Sequence, residues 1–244
     1  MRSFAAQRST VASYGTQPNN GDELIEAFET AGQRQPIYAA CDVPDAVAYQ
    51  PLLCSLIERA GPIRVLVDNA GRDDRHAMED VTPAFWNDRL ALNLKHFVFA
   101  TQAVAPGRAA AGGGSVINMG SVAWMRGRLN LAGDTTAKAC IFGLAHKRKL
   151  ALALARELGV CGIRVNAVVP GAIVTDRRTA LHRDPATDQA VLDAQCLKIR
   201  LNDAGQVSRA YGVHGRRRQQ RHDRPARAGR CRQRAVFDDG MIGV

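Results

Sequence analysis

Aromatic side chains are scarce in this sequence, and long hydrophobic runs and a secretion signal are absent. Aromatic residues make up 5% of the 244 residues, and no apolar run approaches the roughly 18 residues that a membrane-spanning helix needs. The N-terminus has neither the apolar stretch nor the small-residue cleavage site of a signal peptide. Hydrophobic residues still amount to 46%, which is enough for a core and excludes a wholly disordered chain. These features predict a cytoplasmic protein with no membrane partner.

Cysteine pairs are also missing. The six cysteines are scattered along the chain without a C-x-x-C motif, at Cys41, Cys54, Cys140, Cys161, Cys196 and Cys231. This pattern is typical of reduced thiols in the cytoplasm and indicates neither a disulfide framework nor a metal site. We therefore expect no metal to take part in the function.

Acidic residues are scarce in one part of the chain, which concentrates the positive charge there. The sequence holds 33 lysines and arginines against 23 acidic residues, a net charge of +10. Residues 203–234 contain ten of the arginines but only Asp203 and Asp223 as acids, so this segment alone carries +8. Large apolar side chains are few in it and follow no helical or strand period. The pattern predicts an irregular, solvated segment, with an arginine-rich nucleic-acid-binding arm as the less favoured alternative.

Short apolar runs alternate with helical patterns through residues 10–202. This alternation predicts βαβ units around a parallel sheet, which is an α/β fold. We expect strands at residues 10–14, 36–43, 63–67, 115–119 and 163–169. We expect helices at residues 19–31, 45–60, about 82–105 and 137–158. Thr82 and Pro83 are residue types that begin a helix, whereas Pro51 is expected to kink the second helix or restrict it to its later turns.

Several short motifs lie at the ends of these predicted strands or in the helices that follow. Each is ordinary alone, because a glycine turn after a strand or a lysine on a helix is common. The motifs are Cys41-Asp42-Val43, Asp68-Asn69-Ala70-Gly71, Asn93, Ser121 after Ile117-Asn118-Met119-Gly120, Lys138, and Pro170-Gly171-Ala172-Ile173-Val174-Thr175. In this order they resemble the short-chain dehydrogenase/reductase family, whose members are Rossmann-type enzymes with a doubly wound parallel sheet. The resemblance extends over residues 1–202.

The resemblance implies a site for NAD or NADP at the carboxyl ends of the strands. The implied contacts are Asp42 and Val43 near the adenine, Asn69, Ala70 and Gly71 beside its ribose, Lys138 on the nicotinamide ribose, and Pro170, Gly171, Ile173 and Thr175 around the nicotinamide. The choice between NAD and NADP stays open, because no acidic residue follows the second strand to hold a ribose 2′-hydroxyl.

The resemblance also implies catalytic roles, one of which falls to an unusual residue. Asn93 would hold a proton-relay water, and Ser121 would orient the substrate. Asp134 stands four residues before Lys138, where the family has the tyrosine that exchanges a proton with the alcohol. An aspartate beside a lysine is expected to be ionised, to form an ordinary i, i+4 ion pair, and to stop short of a phenol oxygen. We expect a loss of at least ~10²–10⁴ in rate.

Two further departures from the family concern the two ends of the domain. The first strand of the family and the glycine-rich turn that binds the phosphates have no counterpart in this sequence. Residues 2–7 already resemble the end of the helix that follows that turn in the family. The glycines at 112–114 precede a strand and predict a linker turn. Residues 203–234 stand where the family has an amphipathic helix, and residues 235–244 resemble a remnant of its last strand. The predicted organisation is a domain at 1–202 without its first strand, an arginine-rich segment at 203–234 and a short remnant.

A narrower resemblance concerns the substrate. Residues 117–121, 175–178 and 194–198 are similar to those of bacterial aldose 1-dehydrogenases within the family. The implied reaction removes a hydride from C1 of an aldose and gives a lactone, so the expected substrate is a small alcohol or sugar. We expect this chain to be such an oxidoreductase with NAD or NADP, impaired by Asp134 and by the absent cofactor turn. We also expect it to form a homo-oligomer. The alternatives are a non-catalytic scaffold or subunit partner of the same fold, which pairs through its long helices at about 82–105 and 137–158, and a nucleic-acid binder through residues 203–234.

Overall fold

Seven short strands, all paired in parallel, form the sheets in the part of the chain that the computed structural model describes. That part comprises residues 10–15, 20–145, 158–175, 179, 185–194 and 202–216. The strands are β1 (Ala12–Gly15), β2 (Ile37–Ala40), β3 (Val65–Asp68), β4 (Gly114–Met119), β5 (Ile163–Val168), β6 (Ile173–Val174) and β7 (Asn202–Asp203). They pair in the orders β1–β2, β3–β4–β5 and β6–β7. The predicted parallel α/β architecture is confirmed.

Seven helices accompany the strands in the same described residues. They are α1 (Asn20–Thr30), α2 (Ala46–Ala60), α3 (Pro83–Leu90), α4 (His96–Ala110), α5 (Ala132–Ala145), α6 (Pro185–Asp193) and α7 (Ala204–Arg216). A π-helical turn, Ala91–Lys95, joins α3 directly to α4, so the long helix predicted from Thr82 is continuous. None of these helices is long and apolar enough to cross a membrane.

Helices α2 and α3 begin where the sequence places capping side chains. Asp45 Oδ1 accepts hydrogen bonds from two backbone N–H groups of α2, at 3.0 and 3.1 Å. Thr82 Oγ1 accepts one from Phe85 N at 3.2 Å, and Pro83 occupies the first turn, as predicted. Each such cap stabilises a helix by about 1 kcal/mol. The expectation that Pro51 could restrict the second helix to its later turns is wrong, because α2 already begins at residue 46.

Two clusters of buried side chains lie on opposite faces of the central sheet. The larger one packs helices α2 and α4 against the strands, and its buried members are Ala46, Tyr49, Leu53, Leu56, Leu66, Ala100, Val104, Val116 and Ile163. The smaller one contains Ile117, Val168, Val207 and Tyr211. Val116 and Ile117, which are adjacent in β4, therefore face different clusters. This arrangement is expected of a parallel strand that is covered on both sides.

Within the described residues, β1–β2 and β3–β4–β5 are separate hydrogen-bonded sheets. Side chains connect them: Tyr14 Oη donates a hydrogen bond to Asp68 Oδ1 at 3.2 Å, and the Tyr14 ring stacks on Tyr49 of α2 with the centroids 6.1 Å apart. Side chains of β1 and β2 also pack against the larger cluster. In the 3-2-1-4-5-6 strand order of the doubly wound sheet, β1 and β3 correspond to the strands that flank the central one.

The first part of the arginine-rich segment is helical, which corrects the prediction of an irregular segment there. Helix α7 buries Val207 and Tyr211, which are 5% and 8% exposed and belong to the same cluster as Ile117 and Val168. These two apolar side chains are four residues apart, which is a helical spacing. The prediction missed this spacing because it rested on the composition of residues 203–234, in which arginines are far more numerous than large apolar residues. The remaining parts of the prediction, at residues 1–9, 217–234 and 235–244, lie outside the described residues.

Candidate functional site

Three predicted site residues, Gly71, Asn93 and Lys138, meet at the carboxyl ends of β3 and β4. A Cβ atom added to Gly71 would lie 2.9 Å from Asn93 Oδ1 and 3.4 Å from Lys138 Nζ. Lys138 Nζ donates a hydrogen bond to the carbonyl oxygen of Met119, the last residue of β4, at 2.9 Å. Residues that are far apart in the sequence are thus neighbours, and they approach this closely because position 71 carries no side chain.

Asn93 is positioned by the π-helical turn between α3 and α4. Its side chain is fully buried. Nδ2 donates a hydrogen bond to the Arg72 carbonyl oxygen at 2.9 Å, and Oδ1 accepts one from the Arg72 N–H at 2.7 Å. These two bonds attach the turn after Gly71 to the helix. Such π-helical turns are frequent at functional sites. The sequence did not predict this one, because the apolar residues on either side of it keep an ordinary helical spacing. The proton-relay water at Asn93 stays a prediction.

Lys138 is a buried cation close to two carboxyl groups. Its Nζ lies 5.6 Å from the centroid of the Phe97 ring, which is a cation–π distance. Burial lowers the pKa of Lys138, while the charges of Asp134 and Asp73 oppose that shift. The ammonium group is therefore desolvated, and its charge is balanced by carboxyl groups from the helix itself and from the loop after Gly71.

Asp134 lies one turn before Lys138 on α5 and is 8% exposed. Burial raises the pKa of its carboxyl group to about 6, against the opposing charge of Lys138 and with a further contribution from Asp73. Lys138 therefore does not keep the pKa of Asp134 at its ordinary value, because desolvation outweighs the nearby ammonium, but the carboxyl group is still mostly ionised at neutral pH. The expected ion pair is not formed either: both residues are described, and no nitrogen–oxygen contact within 4.0 Å joins them.

Ser121 follows β4, where its hydroxyl group shapes the turn. Oγ accepts a hydrogen bond from Ala123 N at 3.1 Å. Among the described residues, Ser121 forms no hydrogen bond with Asn93, Asp134 or Lys138, so its role in orienting a substrate stays a prediction. Two of the segments that resemble sugar dehydrogenases, residues 176–178 and 195–198, lie outside the described residues.

The other residues predicted to contact a cofactor follow the carboxyl ends of three strands. They are Asp42 and Val43 after β2, Asn69 and Ala70 after β3, and Pro170, Gly171, Ile173 and Thr175 after β5. Asp42, Asn69 and Thr175 are exposed, whereas Val43 and Pro170 are buried. Carboxyl ends of parallel strands share one edge of a sheet, so the residues after β3 and β5 lie at the same edge as Met119 and Lys138. Those after β2 belong to the neighbouring sheet.

A charged loop after Gly71, which the sequence analysis did not single out, borders this site. In this charged loop (residues 71–76), Asp74 Oδ2 accepts a hydrogen bond from the buried Arg89 guanidinium at 2.6 Å. The guanidinium carbon lies 5.0 Å from the centroid of the Phe85 ring, and the His76 ring stacks on the same ring with the centroids 3.7 Å apart. The loop is therefore tied to helix α3.

Asp73, in the middle of the charged loop, acts electrostatically on the catalytic candidates. Its charge raises the pKa of Asp134 and of Lys138. The signal that could have marked this loop is the run of four charged residues directly after the glycine motif. Its partners, such as Arg89, are distant in the sequence, which is why their pairing was not predicted.

Asp68 is a second buried carboxyl group close to the site. It ends β3 and is 1% exposed. Burial raises the pKa of Asp68 to about 8, although the hydrogen bond from Tyr14 and the charge of Arg108 oppose the rise. Its Oδ2 atom has no hydrogen-bond partner in the described part of the chain. The family motif that this stretch resembles begins with asparagine, which carries no charge.

In sequence, the chain is similar to known dehydrogenases. The family model of the short chain dehydrogenases matches residues 1–186. D-xylose 1-dehydrogenase of Caulobacter vibrioides is 44% identical over 177 residues, which cover 72% of this chain and 67% of that protein. The Rhizobium meliloti protein named "Probable galactose dehydrogenase GalD" is 35% identical over 201 residues, which cover 82% of this chain and 76% of that protein.

Solved structures share the fold. A 7 alpha-hydroxysteroid dehydrogenase complexed with NADH and 7-oxo glycochenodeoxycholic acid superposes with a TM-score of 0.78 at 24% identity, over 87% of this chain and 80% of that one. A gluconate 5-dehydrogenase from Burkholderia cenocepacia, in complex with NADP and tartrate, gives 0.77 at 22% identity, over 88% and 81%. At such identity the likeness shows the fold alone, which is the predicted Rossmann-type α/β fold.

Proposed function

Since the chain belongs to the short-chain dehydrogenase family, we propose that it is an oxidoreductase that transfers a hydride between C1 of an aldose, the carbon that carries the reacting hydroxyl group, and NAD or NADP. The observation that carries the substrate class is the 44% identity to a D-xylose 1-dehydrogenase. The similarity to a second sugar dehydrogenase supports it. The meeting of Gly71, Asn93 and Lys138 at one strand edge supports the reaction type.

The residues at this edge fit a nicotinamide nucleotide, because the Lys138 ammonium borders Gly71 and a side chain at position 71 would crowd both Lys138 and Asn93. Lys138 would hold the nicotinamide ribose, and the residues after β5 would line the ring. When bound, the nicotinamide supplies the hydride acceptor. Within the described residues, no strand is followed by a glycine-rich turn that could hold the pyrophosphate. β1 ends in Gly15 without an acidic residue, which leaves NAD and NADP both open.

Proton transfer is the step at which this chain departs from the family pattern. Oxidation of an alcohol needs a base for the hydroxyl proton, and Asp134 is the ionisable group at the tyrosine position. A carboxyl group with a pKa of about 6 is a weak base toward an alcohol, and its side chain is shorter than that of tyrosine. We expect turnover at least ~10²-fold below that of a chain with tyrosine at this position.

Cofactor binding tests this proposal directly. In a titration of the chain with NADPH or NADH, followed by the fluorescence of the nicotinamide, we expect saturable binding. Lys138→Ala should weaken it, because the variant removes the cation beside the ribose site. Lys95→Ala, which removes an exposed lysine of the π-helical turn, is the matched control and should leave the affinity unchanged. Failure of both nucleotides to bind would overturn the proposal.

A second candidate function, that of a subunit partner, is supported by a groove on the outer face of α3 and α4. Its volume is about 690 Å³, and its apolar lining includes Leu90, Leu94, Val98 and Phe99. Val98 is 38% exposed. Pairing of two copies through these helices would cover it. Sedimentation would then show a dimer that Val98→Asp converts to a monomer, and a monomer in the unmodified chain would exclude this pairing.

A further inference from the structure

The charged loop holds an exposed carboxylate in a fixed position beside the proposed active site. On one side of Asp73, the backbone of Arg72 makes two hydrogen bonds with the buried Asn93 side chain, at 2.7 and 2.9 Å. On the other side, Asp74 accepts a hydrogen bond from the buried guanidinium of Arg89. Both chain neighbours of Asp73 are therefore attached to the long helix.

The far end of the loop is attached as well. The His76 ring stacks on Phe85, and the His76 N–H donates a hydrogen bond to the carbonyl oxygen of Asn130 at 2.8 Å. Asn130 lies in the connection between β4 and α5, shortly before Asp134. The loop is thus joined both to the helix that carries Asn93 and to the segment that leads to Asp134, and these attachments do not depend on the Asp73 side chain.

Asp73 lies beside the reacting residues and is open to solvent, because it follows Gly71 by two residues and a Cβ at Gly71 would lie 3.4 Å from Lys138 Nζ. Its side chain is exposed, and its charge acts on both Asp134 and Lys138. A carboxylate that is near both groups and open to solvent can reach a small molecule bound beside Lys138. No step of the reaction derived above uses it.

A carboxylate in this place suits a sugar. An ionised carboxylate only accepts hydrogen bonds and has two oxygens to do so, and its bonds are roughly twice as strong as those between neutral groups. A sugar offers hydroxyl donors on adjacent carbons, whereas a monohydric alcohol offers only the group that reacts. We propose that Asp73 is the specificity-determining residue of this site, accepting hydrogen bonds from the sugar hydroxyls next to the reacting carbon. The inference rests on the proposed function and names the residue that recognises its substrate class.

Sugar binding can be measured without turnover, by NMR titration of the chain with D-xylose. We expect Asp73→Ala to weaken binding by about tenfold or more, because a hydrogen bond to a charged acceptor is lost. Asp73→Asn keeps one carbonyl acceptor and should weaken it less. The matched control is Asp80→Ala, which removes another exposed carboxylate of the same connection and should bind D-xylose as the unmodified chain does.

Cyclohexanol, which has a single hydroxyl group, is the second ligand of the experiment, and Asp73→Ala should bind it normally. Equal D-xylose affinity in Asp73→Ala and in the unmodified chain would overturn the inference and leave the proposed function standing. Loss of affinity for both ligands would also overturn it, because the effect would then be structural. An unmodified chain that binds NADPH but no D-xylose would instead remove the sugar specificity of the proposed function, and the inference with it.

Discussion

Two buried carboxyl groups, Asp134 and Asp68, define the chemistry of this site at the residue scale. Both stand where the family motifs have residues that are neutral at ordinary pH, a tyrosine and an asparagine. Burial raises the pKa of Asp134 to about 6 and that of Asp68 to about 8. A reference pKa describes a solvated carboxyl group. The sequence therefore predicts that the residue at position 134 is important, but the protonation of the Asp134 carboxyl group depends on packing that only the structure shows.

Replacement of Asp68 by asparagine should change how stability depends on pH. The folded pKa of about 8 lies above the ordinary 3.8, so the folded state keeps a proton that the unfolded chain releases between these values. The contribution of this group to stability is complete below the lower value and is lost as the pH rises through the upper one. We expect Asp68→Asn to be more stable than the unmodified chain by roughly 1–3 kcal/mol at a pH above 8.

Urea unfolding at several pH values measures this difference. Asp22→Asn, which changes an exposed carboxylate of α1, is the control and should follow the unmodified chain. Parallel stability curves for Asp68→Asn and the unmodified chain across this pH range would contradict the account of Asp68.

A methyl group at position 71 should disturb the site at its centre. In Gly71→Ala the new Cβ would lie 2.9 Å from Asn93 Oδ1, so the buried asparagine has to move. We expect a loss of about 1–3 kcal/mol in the free energy of unfolding, measured by urea denaturation. Gly159→Ala, where the added atom meets nothing within 4 Å, is the matched control. A Gly71→Ala variant as stable as that control would show that the space beside Asn93 is not tightly packed.

At the scale of elements, β1 to β5 were predictable because short apolar runs end in turn motifs, as in residues 63–71, whereas β6 and β7, of two residues each, are too short to show such a run. The cap at Thr82 was predictable because it depends on one residue type at one position. The π-helical turn at residues 91–95 was not predictable, because it adds no distinct pattern of apolar residues to the sequence. Helix α7 was missed because two apolar residues, Val207 and Tyr211, decide its packing among many arginines.

Helix α7 should contribute substantially to stability through Tyr211. Its ring is buried against β4, and its Oη lies 3.2 Å from both Asn69 Oδ1 and Met119 Sδ. We expect Tyr211→Ala to lower the free energy of unfolding by about 3 kcal/mol or more, and Tyr211→Phe, which keeps the packing, by about 1 kcal/mol. Arg209→Ala, on the exposed side of α7, is the control for thermal or urea denaturation. Unchanged stability in Tyr211→Ala would mean that α7 does not pack on the sheet in solution.

At the scale of the whole molecule, charge and sheet pairing are both uneven. Most of the net charge of +10 belongs to residues 203–234, so it says little about the surface of the dehydrogenase fold. The sheets are also divided: β1 and β2 reach β3 through side chains such as Tyr14 and Asp68. The parallel fold could be predicted from the sequence, whereas this division depends on which strands pair.

The division of the sheets predicts a difference in amide hydrogen exchange. β4 is hydrogen-bonded on both sides, whereas β1 and β2 form a two-stranded pair, and segments with few long-range backbone bonds open at lower free energy. We expect the amides of β1 and β2 to exchange faster than those of β4 and β5, as measured by mass spectrometry. Equal protection of the two sheets would indicate that they open as a single unit.

The central claim is that this chain is a sugar dehydrogenase whose proton transfer is limited by Asp134. Formation of reduced nicotinamide from D-xylose and NAD or NADP, compared between the unmodified chain and Asp134→Tyr, tests it most directly. The unmodified chain should be slow, with a rate that rises with pH through about 6 as the carboxylate base forms, and Asp134→Asn should remove that rise. We predict that Asp134→Tyr increases turnover at least ~10²-fold. An Asp134→Tyr variant that binds NADPH and D-xylose but turns over no faster than the unmodified chain would contradict the account.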